Sequence, residues 1–208
     1  MTFQLEGRII LFATDNVNKF NEARKVLAEF KVAVGMLRVK GLEVQSNSLE
    51  EIARSSVLDS FERCHLPIIV EDAGLFVQEL HAFPGPYAAY VYRTIGNEGL
   101  LRLMQDVDLR KAKFESAIAY MSESQESPLC FRGEVSGEIT KEQRTGKSQT
   151  GFGFDPIFMP DGSKKTFAEM TICEKNGFSH RAVALRRFGE YYRKLGSRPK
   201  HMKNKPEK

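Results

Sequence analysis

Along the first thirty residues the apolar positions change rhythm. "RIILFA", residues 8–13, is a continuous apolar run of strand length, and Val17, Phe20, Ala23, Leu27 and Phe30 then recur at helical spacing. A strand that runs into a helix opens an α/β unit. A second helix is predicted over "SLEEIARSSVLDSFERCH", with Ser48 as N-cap and Glu51 three residues on, the spacing of a capping box. "PIIVED" follows as a β-branched run that closes on two acids. "PGPYAAYVYRTIGNEGLLRLM" carries a third helix that Gly96 and Gly99 are expected to divide. "KFESAIAYMS" and "LCFRGEVSGEI" alternate and read as neighbouring strands. Beyond the loop "TGKSQTGFGFDP" the pattern predicts one more short strand, and then a closing helix, "SHRAVALRRFGEYYRKL", capped by Ser179. Strand–helix units first and strands together later imply an α/β protein whose mixed sheet is flanked by helices.

Composition narrows the class. The chain has 208 residues, of which 41% are hydrophobic, enough for one sizeable packed domain. No apolar run reaches about 18 residues, and the start, "MTFQLEGRIILFA", has no basic n-region with a small-residue cleavage site, so a cytoplasmic protein without membrane attachment is expected. Cys64, Cys130 and Cys173 are odd in number and widely spaced, which fits reduced thiols better than a disulfide framework or a zinc site. Much of the net charge of +4 lies in residues 194–208, "KLGSRPKHMKNKPEK". That stretch reads as a disordered, solubilising tail on a domain of residues 1–193. No aromatic residue interleaves its charge, so nucleic acid is not an expected partner.

Three stretches carry candidate chemistry. In "LFATDNVNKFNEARKVL" the corner between strand and helix gathers free backbone N–H groups and the positive end of a helix dipole, which suits phosphate. It lacks the glycine spacing of a Walker loop or a dinucleotide fingerprint. In "IIVEDAGLF", Glu71 and Asp72 stand at the end of a predicted strand, where oxygen ligands can hold Mg²⁺. Consecutive strand residues face opposite ways, so only one of the two is expected to enter a given site. "GFGFDP" sets Phe152 and Phe154 as ring-stacking candidates beside two glycines and Asp155, and "EKNGFSHRA" adds Lys175, His180 and Arg181 near a helix start.

Taken in order, "ATDNVNKFNEA", "VEDAGLFV", "FPGPYAAYV", "IGNEGLLRLM", "GFGFDPIF", "TFAEM" and "EKNGFSHRA" resemble the inosine and xanthosine triphosphate pyrophosphatases, which hydrolyse non-standard purine nucleoside triphosphates to monophosphate and pyrophosphate. The resemblance covers nearly the whole chain up to the tail. It implies an elongated α/β fold with two lobes and a central substrate cleft, Mg²⁺ dependence and a homodimer. By the same resemblance Thr14, Asn16 and Lys19 grip the triphosphate, and Asp72 is the essential acid that binds metal or accepts a proton. Glu43 is the second metal ligand, Ala73 lines the substrate site, and Phe152, Gly153, Phe154, Asp155, Lys175, His180 and Arg181 form the base pocket. Donors such as Arg181 or His180 would select a 6-oxo purine over adenine.

The chain also departs from the family pattern. Asp15 stands where glycine is common, and no lysine occurs between Lys40 and Lys111, where family members add phosphate-binding lysines. Arg54 and Arg93 are the candidates to replace them. A nucleotide sensor with weakened turnover and a pyrophosphatase for modified pyrimidine nucleotides are the alternative readings.

Overall fold

The structure is a computed structural model, and it describes residues 8–39, 42, 44–146 and 151–195. Seven strands form one mixed sheet: β1 (Arg8–Ala13), β2 (Val32–Leu37), β3 (Ile68–Val77), β4 (Pro84–Gly85), β5 (Lys111–Met121), β6 (Leu129–Ile139) and β7 (Phe158–Pro160). Their order is β2-β1-β3-β5-β6-β7, with β4 added to β3. β1 lies parallel to β2 and β3, and every other pairing is antiparallel. Among the described residues six α-helices flank the sheet: α1 (Val17–Ala28), α2 (Leu49–Cys64), α3 (Ala88–Thr94), α4 (Gly96–Leu103), α5 (Ile172–Phe178) and α6 (His180–Leu195).

Three apolar clusters divide the molecule into two lobes. In the first lobe one face of the sheet packs Ile69 and Ile118 against Leu27 of α1 and Leu185 and Phe188 of α6. The other face packs Val70 and Ala119 against Ala53 and Val57 of α2. The second lobe gathers Leu75, Leu100, Met104, Phe114, Phe158 and Phe167. β3 and β5 contribute to both lobes, so the strands themselves are the connection.

β3 is longer than "PIIVED" suggests. It continues through Val77 because the antiparallel ladder to β5 runs unbroken from Ile68 to Val77. On its other edge the pairing is interrupted. β1 reaches only Ile69 and β4 begins at Leu75, so among the described residues no strand pairs with residues 70–74 on that side. A gap therefore opens at the carboxyl end of β1, between the two lobes. Gly74 closes it at the far end, since a Cβ there would sit 2.6 Å from the carbonyl oxygen of Gly85 and push β4 away.

Other sequence-based expectations meet mixed outcomes. Gly96, at φ +64°, does separate α3 from α4, whereas Gly99 lies inside α4. Ser48 caps α2 through the Glu51 N–H, but the Glu51 carboxylate accepts from the Ser46 hydroxyl, so the box closes on one side only. Reciprocal boxes occur at Thr166/Glu169 and Thr171/Glu174 instead. Along α1 the buried face is rotated from the expected one: Val17 is exposed, while Glu22 and Val26 join Ala23 and Leu27 inside. α6 runs through Leu195, and the rest of the basic tail lies outside the described residues.

Candidate functional site

The gap beside β3 is bordered on the β1 side by the corner that leads into α1. The Thr14 N–H donates to Leu37 of β2, which fixes the corner to the sheet. Thr14 Oγ1 accepts from the Asn16 N–H at 3.1 Å, and Asn16 Oδ1 caps α1 by accepting from the N–H groups of Asn18 at 3.0 Å and Lys19 at 3.2 Å. The first turn of α1 is thus aimed at the gap with its positive dipole end. Asp15 is exposed, and its backbone is outside the left-handed region that would call for glycine.

Glu71 and Asp72 part company as strand alternation requires. Glu71 turns to the α6 face, and Asp72 turns to the α2 face and is half-buried. The Glu71 carboxylate is wholly buried, with Lys19 Nζ 2.8 Å from Oε2, Arg181 Nε 3.0 Å from Oε1 and the Ser116 hydroxyl donating to Oε1 at 2.8 Å. Lys19 also reaches the Glu71 carbonyl at 3.3 Å. The line of charges continues. Arg181 Nη1 lies 2.5 Å from Glu22 Oε2, Lys175 Nζ lies 2.8 Å from Glu22 Oε1, and the same ammonium lies 2.7 Å from Asp155 Oδ2. Asp155 in turn accepts from the Phe152 N–H at 2.9 Å. Cations and anions alternate, Lys19, Glu71, Arg181, Glu22, Lys175, Asp155, from the α1 corner to the aromatic turn.

Each charge is set by its neighbours. Burial alone would raise the Glu71 and Glu22 pKa values, but Arg181 with Lys19, and Arg181 with Lys175, reverse this and hold both below the ordinary carboxylate value. Arg181 is held firmly protonated: burial disfavours its charge, and Glu71 and Glu22 more than compensate. Asp155 is pushed up by burial and by nearby Glu22, against the pull of Lys175. Ion pairs this deep contribute positioning more than net stability, because desolvation consumes much of their attraction.

The aromatic turn divides its two rings. Phe154 is buried edge-on against Tyr92, with centroids 5.6 Å apart, and belongs to the second-lobe core. Phe152 is half-buried, with Lys175 Nζ 4.8 Å and the Arg181 guanidinium carbon 5.5 Å from its ring centre. Gly153 offers its carbonyl to Asn97 of α4 at 3.3 Å. His180 is buried and stacked on Phe114, with ring centroids 4.8 Å apart. Arg54 is engaged by Glu50 and the Pro128 carbonyl, and Arg93 is exposed on α3.

The structure therefore brings Thr14, Asn16, Lys19, Ala73, Phe152, Gly153, Asp155, Lys175 and Arg181 around or immediately behind one gap, with Asp72 on the same stretch of β3. It assigns Phe154 to the core, and Glu43 lies outside the described residues. Glu22 carries no sequence-based assignment, and Glu71, one of the two adjacent acids the sequence offers to Mg²⁺, is instead an anion of the buried array. The available signal was an acid between apolar positions of α1, three residues after Lys19.

His180 makes one prediction. Burial, and then the adjacent Arg181 charge, hold its pKa well below 6.5 in the fold. Between that depressed value and 6.5 the unfolded chain binds a proton that the folded chain does not, so stability falls as pH drops below about 6.5, by at most about 1.4 kcal/mol per pH unit. Asp155, raised in the fold, works in the opposite direction. Urea midpoints from pH 5 to 7.5 should show a slope that His180→Gln flattens.

Helix terminus, acidic strand edge and half-open aromatic turn around one gap define an α/β protein with a cleft for an anionic ligand that carries a planar ring. The chain belongs to the Ham1 family, whose model matches residues 10–191. It is 46% identical over 184 residues to the dITP/XTP pyrophosphatase of Methanopyrus kandleri, spanning 88% of this chain and 96% of that protein. It is 45% identical over 192 residues to the dITP/XTP pyrophosphatase of Hyperthermus butylicus, spanning 92% and 98%. Among solved structures, the Ham1 protein of Staphylococcus aureus superposes with a TM-score of 0.76 at 26% identity, covering 92% of this chain and all of that one. Among the described residues no helix is long and apolar enough to cross a membrane.

Proposed function

We propose that this chain is a nucleoside-triphosphate pyrophosphatase that hydrolyses non-standard purine nucleotides, the triphosphates of inosine, deoxyinosine and xanthosine, to the monophosphate and pyrophosphate. One observation carries the reading: a helix terminus with Lys19 and an aromatic turn with Asp155 lie at the two ends of a single line of ion pairs, with Arg181 within it, behind an open strand edge. The triphosphate lies toward Thr14, Asn16 and Lys19, and the base lies toward Phe152. The backbone near Ala73 faces the substrate between them. A relative that is 46% identical over most of both chains and is named a dITP/XTP pyrophosphatase supports the deoxyinosine and xanthosine triphosphates among them.

Mg²⁺ fits the donors. The ion takes hard oxygen ligands, commonly one or two carboxylates completed by water and substrate phosphate. Among the described residues no three His, Cys, Asp or Glu side chains gather around a common point, and Glu71 is committed to Lys19, Arg181 and Ser116. Asp72 is then the described ligand, with Glu43 as the second by family resemblance. Held there, Mg²⁺ would supply neutralisation of phosphate charge and a more acidic water. Asp72 orients or deprotonates the attacking water. Lys19 and the N-terminus of α1 stabilise the departing pyrophosphate, and Arg181 presents a fixed cation to the 6-oxo side of the base. A homodimer and a cytoplasmic setting accompany this reading, and the three described cysteines are free thiols.

The test measures pyrophosphate and orthophosphate separately from inosine, xanthosine, guanosine and adenosine triphosphates, with Mg²⁺ and with chelator. Pyrophosphate released in one step from the 6-oxo substrates supports the reading, and sequential orthophosphate release overturns it. Asp15 gives a second prediction. It places an exposed negative charge beside the phosphate corner in a conformation that does not require glycine's freedom. Asp15→Gly should lower the KM for inosine triphosphate, with a gain that shrinks as ionic strength rises. Unchanged or weaker binding together with a lower Tm would show that Asp15 serves the turn.

A further inference from the structure

Glu71 occupies a singular place in the line of charges. Its two carboxylate oxygens serve different halves of the cleft, Oε2 facing Lys19 at 2.8 Å and Oε1 facing Arg181 at 3.0 Å. The strand backbone carries it between the lobes, and Ser116, across the ladder on β5, donates to Oε1 and fixes its rotamer. Lys19 alone in the chain of pairs is appreciably open, with 20% of its side chain exposed, while Arg181, Glu22, Lys175 and Asp155 are almost entirely enclosed. Any anion at the α1 corner must therefore compete with Glu71 for the Lys19 ammonium.

We infer that Glu71 is a positioning residue that couples the two ends of the cleft, so that phosphate bound at Lys19 strengthens recognition of the base beside Arg181 and Phe152, and the base strengthens phosphate binding. The reasoning is electrostatic. When a phosphate draws Lys19 away, the buried Glu71 carboxylate loses one of two counterions and holds Arg181 more strongly, and this fixes the guanidinium under the Phe152 ring. A base packed there immobilises the Arg181–Glu71 pair and leaves Lys19 to the phosphate. The same free energy must appear in both directions, because the coupling of two binding events is reciprocal. The alternation of charge from Arg181 through Glu22 and Lys175 to Asp155, which holds the Phe152 N–H, connects the aromatic turn to the same carboxylate through an unbroken series of ion pairs.

The inference rests on the functional reading above, and its test uses the two products as probes. Pyrophosphate binding to the full chain is measured by calorimetry with Mg²⁺, in the absence and presence of saturating inosine monophosphate. In the wild-type chain the nucleotide should tighten pyrophosphate by about five-fold or more, the lower end of ordinary coupling factors. In Glu71→Gln, which keeps the shape and loses the charge, each product should still bind, but the factor should fall to within about two-fold of one. A residue that merely supports the fold would alter stability or both affinities and leave the factor in place. Should Glu71→Gln not fold, Ser116→Ala removes only the hydroxyl that holds Oε1, and it should reduce the factor while sparing the separate affinities. An undiminished factor in the folded Glu71→Gln chain, or in Ser116→Ala when that is the folded variant, overturns the inference, as does a wild-type chain that binds both products independently. A wild-type chain that binds neither product and releases no pyrophosphate overturns the functional reading along with it.

Discussion

Asp72→Asn should abolish most pyrophosphate release from inosine triphosphate while leaving the fold intact. The side chain is half-buried on the α2 face, opposite the buried array, so an isosteric amide leaves the Lys19–Glu71–Arg181 pairs untouched. What the amide loses is the negative charge that a hard cation requires and the basicity that a water needs. General-base assistance alone contributes about 10²–10⁴-fold. The expected loss in kcat is therefore at least two orders of magnitude, with an unchanged Tm. A folded variant that retains near-wild-type turnover would remove Asp72 from the chemistry.

Arg181→Ala should be among the most damaging single changes for stability. Arg181 is 2% exposed and neutralises two carboxylates, Glu71 and Glu22, each of which keeps a single lysine, Lys19 or Lys175, when the guanidinium is gone. Breaking a buried pair by removing one partner typically costs about 3–5 kcal/mol, and with Lys19 and Lys175 still beside the two carboxylates the lower end of that range, about 3 kcal/mol, is expected. An unfolding free energy from urea titration lower by that amount is the expected result, and a value near wild type would mean that the array relaxes or hydrates easily. Discrimination between inosine and adenosine triphosphates is better read from Arg181→Lys, which keeps a charge for Glu71 and Glu22 but surrenders the planar fork that holds both. Its selectivity should narrow more than its stability falls.

Legibility in the sequence tracked locality. α1, α2, α6, β5 and β6 were readable because one apolar rhythm persists across each, and the Gly96 break and the Ser179 cap are single-residue signals. β2 carries no such signal: an edge strand with one fully buried residue and a glycine in its middle needs little alternation. β3 appeared to stop at Asp72 because two acids look like a strand end. Only the antiparallel partner β5, more than forty residues further on, shows why the strand continues. The same non-locality concealed Glu22 and the ion pairs that commit Glu71. A buried carboxylate is tolerable only with its cations present, and Arg181 and Lys175 arrive from α6 and α5, more than 100 residues away, while the Lys19 that serves Glu71 comes from α1. Phe152 and Phe154 likewise look equivalent in "GFGFDP", and it is α3, through Tyr92, that takes one of them into the core.

The adjacency of Glu71 and Asp72 also limits how this sequence can drift. The two acids differ by one step of a two-residue repeat, so a single insertion or deletion in β3 between Ile69 and Glu71 would exchange their faces. The carboxylate that meets the ion-paired interior would be presented to the α2 side, and its neighbour would be driven among Arg181, Lys19 and Ser116 with a side chain one methylene shorter. Loops around the cleft can change length without such a penalty. Descendants of this chain are thus free to vary in the length of their connections, but the count of residues from the last β1 pairing at Ile69 to Asp72 is expected to be invariant, and any lineage that alters it will have changed its chemistry or lost it.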